Sequence, residues 1–448
     1  VKSEFEDRKF ENIEQVIDYL YFKRPHGQVK LGMERIEYLV EKLGKPNLEY
    51  NTIHVAGTNG KGSVTRTLST IFTEMGFTVG ANYSPHLVKF NERITVNNEN
   101  ISDEEIVEVV NRLYPVIEEM DSISEEMKPS FFEIISAMGF EYFKMKQVDL
   151  AIIEVGLGGR YDATSVVHPD VCVITNVGFD HMKTLGNTLA KIAFEKSGII
   201  KDFIPVVTGS EEIEALEVIR EVSEEKKTRL HVLNEGFSYI DKNMKIAENV
   251  FDFSDDKYRF EDLVLNLNGI HQFKNCSVAI KAYIEYCVKN DIEVDENSLR
   301  NALKKVFWPG RLELVSDNPQ IIVDGAHNKQ GIDALVENWK TYFPGIRPIL
   351  LTGMLSDKEF DEMTKKLSDL AVKVVVTEPN APRETDTSLI VDSYKKNMPD
   401  DSVFYFKDHE SACKKALELS SEVSGKGTPI LVTGSLYVIG YLKEILLK

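Results

Sequence analysis

One segment limits the possible folds of this chain more than any other. An apolar run at Thr52–Ala56, a glycine-rich turn and an amphipathic helix follow one another without a break. The turn reads His54-Val-Ala-Gly57-Thr58-Asn59-Gly60-Lys61-Gly62-Ser63. Its glycines let the backbone wrap an anion with N–H groups, and the helix aims its positive end at the same point. That helix is expected over Lys61–Met75, with Val64, Leu68, Ile71, Phe72 and Met75 as its apolar stripe and Gly76 as its stop. Lys61 suits β- and γ-phosphate charge, and the Ser63 hydroxyl suits Mg2+. The spacing departs from G-x-x-x-x-G-K-[ST], because three residues separate Gly57 from Lys61 and Gly62 precedes Ser63. An ordinary strand-to-helix turn is the plainer alternative. Strand, loop, lysine and helix together favour a phosphate loop.

Two further buried-type strands are expected, Leu150–Val155 and Val171–Thr175. Glu154 ends the first, ahead of Gly156-Leu-Gly158-Gly159-Arg160. A carboxylate there is costly unless paired or bound to a metal, and Mg2+ takes one or two carboxylates plus phosphate oxygens. A buried ion pair with Arg160 or a lysine is the competing explanation. The segment is not a dinucleotide fingerprint, since Tyr161 stands where a glycine is required. The second strand leads into Thr175-Asn176-Val-Gly178-Phe-Asp180-His181. His181 alone would read as a structural histidine; its place one strand after Glu154 raises it to a site candidate. In the next helix Lys196 continues the stripe of Leu189, Ile192 and Ala193. An inward ammonium loses hydration, its pKa falls, and a neutral amine can capture carbon dioxide as a carbamate. On spacing alone the favoured reading of Lys196 is a snorkelling lysine, or one at the helix C-terminus before Gly198.

The length of 448 residues favours two domains. Strands and helices alternate as in α/β folds, with short antiparallel strands near 250–267 and a helix from His271. Trp308-Pro309-Gly310 breaks the pattern. Strands are then expected at Gln320–Asp324, Pro348–Gly353, Val372–Thr377 and Pro429–Gly434, with helices at Gly331–Tyr342 and Ser411–Val423. The domains are drawn at 1–306 and 307–448, with a ligand cleft between them. The net charge of −19 argues against nucleic acid as a partner. No apolar run is long enough to span a bilayer. Val1–Lys9 lacks the apolar core of a secretory signal, so a cytoplasmic location is expected. Cys172, Cys276, Cys287 and Cys413 lack CxxC spacing and read as reduced, buried thiols.

With HVAGTNGKGS, IEVGLGGRYDAT and TNVGFDH in order, the chain resembles folylpolyglutamate synthases of the Mur ligase superfamily. The resemblance covers nearly the whole chain. It takes in KLGMERIEYLVEKLGKP from Lys30, YSPHLVKFNERI from Tyr83, IAFEKSGII from Ile192, NGIHQFKN from Asn268 and WPGRLE from Trp308. VDGAHN from Val323, GMLSDK from Gly353, APRE from Ala381 and VTGS from Val432 complete the set.

The resemblance implies an N-terminal P-loop ATPase-type α/β domain that binds ATP and a smaller, Rossmann-like C-terminal α/β glutamate-ligase domain. The implied reaction is ATP-dependent ligation of L-glutamate to the glutamyl carboxylate of tetrahydrofolate through an acyl phosphate; a cleft between two domains of one chain needs no partner subunit, so a monomer is expected. Dihydrofolate synthase, acting on dihydropteroate alone or in a bifunctional enzyme, is the alternative. A cell-wall amino-acid ligase and a nucleotide switch without ligase activity are weaker ones. Thr58, Asn59, Gly60, Lys61, Gly62, Ser63, Asn275, Arg311 and Asp324 match ATP-binding positions. Ser63, Ser84, Glu154, His181 and Lys196 match metal-binding positions, with two Mg2+ sites implied. Lys196 matches the lysine carbamylated across the superfamily, which reverses the reading from spacing. Ser84, Pro85, His86, Arg160, Asp162, His327, Asp357, Lys358 and Ser435 match substrate-binding positions. Lys61, Lys196, His181, His327 and Arg311 are the implied catalytic set. Tyr83 replaces a small hydroxyl residue and Ser165 an Asn of the family pattern, both beside the expected pterin pocket.

Overall fold

The computed structural model describes residues 9–24, 32–355, 360–379, 386–423 and 427–447. Lys30, Asp357, Lys358 and the APRE segment from Ala381 lie outside the described residues. The fold is α/β, and the chain divides into two compact units. The first comprises Val1–Tyr239, Phe253–Glu261 and Lys274–Lys305, and the second Ile240–Asp252, Asp262–Phe273 and Val306–Lys448. The division passes back and forth between 239 and 274 before its last crossing between Lys305 and Val306.

The first unit is built on an eight-stranded sheet. Asn51–Ala56 lies near its middle, between Leu150–Glu154 on one side and Val171–Ile174 on the other, all three parallel. These strands are buried almost throughout because helices cover both faces. On one face Asp103–Ile123 and Phe131–Met145 pack over Ala151 and Ile153. Ser102 with Glu105, and Ser130 with Glu133, form capping boxes that start these two helices. On the same face, through the register that pairs Ile153 and Cys172 with His54, Ile192, Ala193 and Ile219 pack against Ala56, Cys172 and Ile174, while the helix Lys61–Glu74 packs on the opposite face. The chain leaves the middle strand and returns on both sides of it, so the loops after all three strands open at one edge of the sheet, where α/β folds place ligands.

Three strands, Phe237–Asn243, Asn249–Asp255 and Arg259–Leu265, make a separate sheet that begins before the 250–267 segment expected to hold short antiparallel strands. The second unit holds a six-stranded sheet, ordered Glu313–Asp317, Gln320–Val323, Ile430–Thr433, Ile349–Thr352, Lys373–Thr377 and Val403–Phe406. Its first pair is antiparallel and the rest parallel. All four cysteines are buried and none forms a disulfide. Among the described residues, no helix is long and apolar enough to cross a membrane.

Candidate active site

The phosphate loop leaves the Asn51–Ala56 strand, and Gly60, at φ +82°, turns it into the helix Lys61–Glu74. Two of its positions tolerate only glycine. A Cβ at Gly57 would lie 1.8 Å from Thr175 Oγ1, and one at Gly60 would lie 2.4 Å from Asn275 Oδ1. The loop after Val171–Ile174 braces it. Thr58 N–H donates to the Asn176 carbonyl at 3.1 Å, and Asn59 N–H to Asn176 Oδ1 at 2.9 Å. Thr175 Oγ1 donates to the Asn59 carbonyl at 2.6 Å, and Thr58 Oγ1 accepts from Gly178 N–H at 2.9 Å. The expected nucleotide contact Asn275 therefore packs against the loop itself. Thr175, Asn176 and Gly178 hold that loop in shape.

Two amines meet on this loop. Lys61 Nζ donates to the Gly57 carbonyl at 3.1 Å and to the Thr58 carbonyl at 3.3 Å. Lys196 Nζ donates to the same Gly57 carbonyl at 2.9 Å. Lys196 is buried on the inner side of the helix Leu189–Lys196. Burial, then the charge of Lys61, lowers its pKa to about 7, against the weaker pull of Asp180 and Asp162. The ordinary snorkelling reading of Lys196 is thus set aside.

Glu154 is buried at the end of its strand, in register with Val55 two residues before Gly57. Its N–H donates to Asn82 Oδ1 at 3.0 Å. Asn82 ends the neighbouring strand Val79–Asn82, so the Ser84-Pro85-His86 loop emerges beside Glu154. Tyr83 points inward: burial raises its pKa, Arg66 opposes the rise and Glu154 adds a little to it. His86 Nδ1 accepts from Arg93 Nε at 2.7 Å. His181 is exposed and caps the short helix Met182–Leu185 at φ +49°. Its N–H donates to Asp180 Oδ1 at 2.9 Å, the carboxylate whose charge reaches Lys196.

The turn after Glu154 is tied down from within. Asp162 is buried, and its carboxylate accepts from Leu157 N–H at 2.8 Å, Thr164 N–H at 3.0 Å and Thr164 Oγ1 at 2.5 Å. Burial still raises its pKa, the hydrogen bonds opposing. With the Thr164 proton given to Asp162, Thr164 Oγ1 accepts from His54 Nε2 at 2.9 Å, which assigns the histidine proton to Nε2. Ser165 donates to the Gly159 carbonyl at 2.5 Å. Both Asp162 and Ser165 shape the turn. Arg160 N–H donates to the Glu195 carbonyl at 2.8 Å, and its guanidinium lies 4.0 Å from the centre of the Phe194 ring.

In the second unit, Asp324 follows Gln320–Val323 and Ser435 follows the adjacent parallel strand Ile430–Thr433. The buried Asp324 carboxylate accepts from Leu312 N–H and Ala326 N–H, both at 2.8 Å. Burial raises its pKa and Arg311 opposes. His327 Nδ1 lies 2.8 Å from the Gly325 carbonyl, and Thr433 Oγ1 donates to the Ala326 carbonyl at 3.3 Å. Arg311, Asp324, His327 and Ser435 thus occupy one end of this sheet. Ser435 is buried there.

No three His, Cys, Asp or Glu side chains gather as a metal cluster among the described residues. The buried carboxylate of Glu154 and the hydroxyl of Ser63, in the first turn of the helix that the phosphate loop enters, make the sparse donor set that Mg2+ accepts when phosphates complete its shell.

Two family models match the chain: the Mur ligase middle domain at residues 132–283, and the Mur ligase glutamate ligase domain at residues 310–436. A dihydrofolate synthase/folylpolyglutamate synthase of Bacillus subtilis is 37% identical over 94% of this chain and 96% of its own length. The crystal structure of folylpolyglutamate synthase from Thermotoga maritima superposes with a TM-score of 0.85 at 40% identity, covering 97% of this chain and 96% of that one. A folylpolyglutamate synthase complex with AMPPCP and folate superposes with a TM-score of 0.82 at 31% identity, covering 98% of this chain and all of that one.

Proposed function

This chain belongs to the folylpolyglutamate synthase family of Mur ligases, and we propose that it joins L-glutamate to the glutamyl carboxylate of tetrahydrofolate at the expense of ATP. The observation that carries the reading is the meeting of Lys61 and Lys196 on the Gly57 carbonyl, beside the buried Glu154. Phosphate charge, a metal and an organic acid would all find partners at that strand end.

A carboxylate resists attack by an amine because its carbonyl is a poor electrophile. Transfer of the γ-phosphoryl group from ATP to the carboxylate oxygen gives an acyl phosphate and releases ADP. The glutamate amine then attacks the acyl carbon, phosphate leaves, and an amide forms. Lys61 would exchange its loop carbonyls for β- and γ-phosphate oxygens, and Arg311 is assigned to the same charge. Thr58, Asn59, Gly60, Gly62 and Asn275 would shape the nucleotide site. Ser63 and Glu154 suit one Mg2+ position; Ser84, His181 and Lys196 suit a second. Bound there, Mg2+ would supply charge neutralisation for phosphoryl transfer.

Lys196 joins that set as a carbamate. With its pKa near 7, a large share of its amines is neutral at physiological pH. A neutral amine adds to carbon dioxide and loses one proton, leaving an anionic oxygen donor. His327 is assigned to orient or deprotonate the glutamate amine. Asp324, Ser435 and the Asp357-Lys358 pair belong to the same assignment, ATP binding going to 1–306 and glutamate to 307–448. Ser84, Pro85, His86, Arg160 and Asp162 are assigned to the pterin substrate, Asp162 through the turn it holds. We take the enzyme to act as a cytoplasmic monomer; its four buried thiols suit a reducing compartment.

The test is a substrate panel with mass detection. Tetrahydrofolate, dihydropteroate and a uridine-linked muramyl acid are each incubated with ATP and glutamate. The expected result is glutamyl-extended tetrahydrofolate, with one ADP released per amide. Product from dihydropteroate alone would favour the dihydrofolate synthase reading, and ATP consumption indifferent to glutamate would favour a nucleotide switch.

A further inference from the structure

Arg160 lacks the carboxylate partner that most of the described arginines of the first unit have. Arg24, Arg35, Arg112, Arg220 and Arg300 each pair with a carboxylate. Arg160 pairs with none among the described residues, in a chain of net charge −19. Its Nε is buried and meets no acceptor among the described residues. The guanidinium instead lies over the Phe194 ring at 4.0 Å, with Nη2 at 3.5 Å from the Phe194 carbonyl.

The surroundings fix this arrangement. Arg160 N–H is bonded to the Glu195 carbonyl, and the neighbouring backbone is so close that a Cβ on Gly198 would lie 2.3 Å from the Arg160 Cα. Phe194 is 47% exposed, and the guanidinium covers part of its ring. Both residues flank Lys196: Phe194 precedes it by two residues, and the carbonyl that anchors Arg160 belongs to the residue just before it. A cation with no carboxylate partner among the described residues therefore packs on the helix that carries Lys196.

The proposed reaction supplies an anion for it. An acceptor ending in glutamate carries two carboxylates. One becomes the acyl phosphate; the other stays ionised and needs a partner close to the first. A guanidinium offers a planar fork that matches a carboxylate. An aromatic acid without glutamate has only the reacting carboxylate and gains nothing from this group.

We propose that Arg160 receives the non-reacting carboxylate of the acceptor's terminal glutamate, and that Phe194 is the positioning residue that aims it. This rests on the ligase reading above and adds a determinant of substrate class. Phe194, an exposed ring, can be replaced without disturbing the core.

The test measures binding of folate and of pteroate, the same molecule without glutamate, by titration calorimetry with AMPPCP present. Steady-state rates with tetrahydrofolate are taken in parallel. Arg160→Gln is expected to weaken folate binding about tenfold or more and to leave pteroate within about twofold. Phe194→Ala is expected to raise KM for tetrahydrofolate about two- to fivefold with kcat retained, and Phe194→Tyr to restore it. Equal weakening of folate and pteroate by Arg160→Gln, or comparable weakening of AMPPCP, would overturn the assignment in favour of the ring or the phosphates. Wild-type KM in both Phe194 variants would overturn the positioning role, and these variants stand in if Arg160→Gln does not fold. A wild-type enzyme that forms no glutamyl product removes the ligase reading; an active one with indifferent variants removes only this inference.

Discussion

Lys196 and Lys61 share one acceptor, the Gly57 carbonyl, at 2.9 Å and 3.1 Å from their Nζ atoms. Two like charges on one oxygen raise each other's cost, and burial makes Lys196 the one that yields. Its folded pKa, about 7, lies below its unfolded value, so the unfolded chain binds the extra proton between about 7 and 10.5. Stability therefore rises with pH through that window. In bicarbonate-depleted buffer, the wild type should gain roughly 2 kcal/mol over Lys196→Met between pH 7.5 and 9.5, measured by urea unfolding. Parallel pH profiles would show that the amine is not held as described. In labelled bicarbonate, a carbamate carbon resonance is expected in the wild type and not in Lys196→Met; its absence from both would remove the carbamate.

Glu154 is the one buried carboxylate that ends a central strand at the phosphate loop among the described residues. Glu154→Gln keeps the shape and removes the charge. The expected effect is a rise of about tenfold or more in the magnesium concentration needed for half-maximal activity, with the melting temperature little changed. An unchanged magnesium requirement would take Glu154 out of the metal set.

Gly60 leaves no room for a side chain beside Asn275. Gly60→Ala is expected to weaken AMPPCP binding by about tenfold or more, because the loop must move or Asn275 must leave. Calorimetric titration reads this directly, and wild-type affinity would mean that the loop does not hold the nucleotide in this shape.

His54 is buried under the Asp162 turn, and burial, with a smaller push from Lys201, lowers its pKa to about 3. The unfolded chain takes the proton near 6.5, so stability is retained above that pH and lost as pH falls toward 3. Relative to His54→Gln, the wild type should lose roughly 2–3 kcal/mol between pH 7 and pH 4.5 in urea unfolding. Equal losses in both proteins would show that His54 titrates normally.

Residues at strand ends were readable in the sequence because their position carries the chemistry. Glu154 and the Gly57–Ser63 turn stand where a buried run stops, and the structure sets them side by side. Lys196 was not readable from spacing. Its partner, the Gly57 carbonyl, is 139 residues away, and no helical periodicity encodes a contact of that range. Asp162 shows the opposite difficulty. It reads as a substrate contact by its motif, yet its oxygens serve the amides of Leu157 and Thr164, which leave no trace in residue type. The helices over Ala151 and Ile153 carry a sequence signal of their own, the Ser102–Glu105 and Ser130–Glu133 capping pairs.

The account depends on a phosphorylated carboxylate forming before glutamate arrives at it. Tetrahydrofolate labelled with oxygen-18 in its glutamyl carboxylate tests this most directly, with the phosphate released during amide formation analysed by mass spectrometry. One labelled oxygen in each phosphate is the predicted result. Unlabelled phosphate, formed at the same rate as the amide, would contradict it.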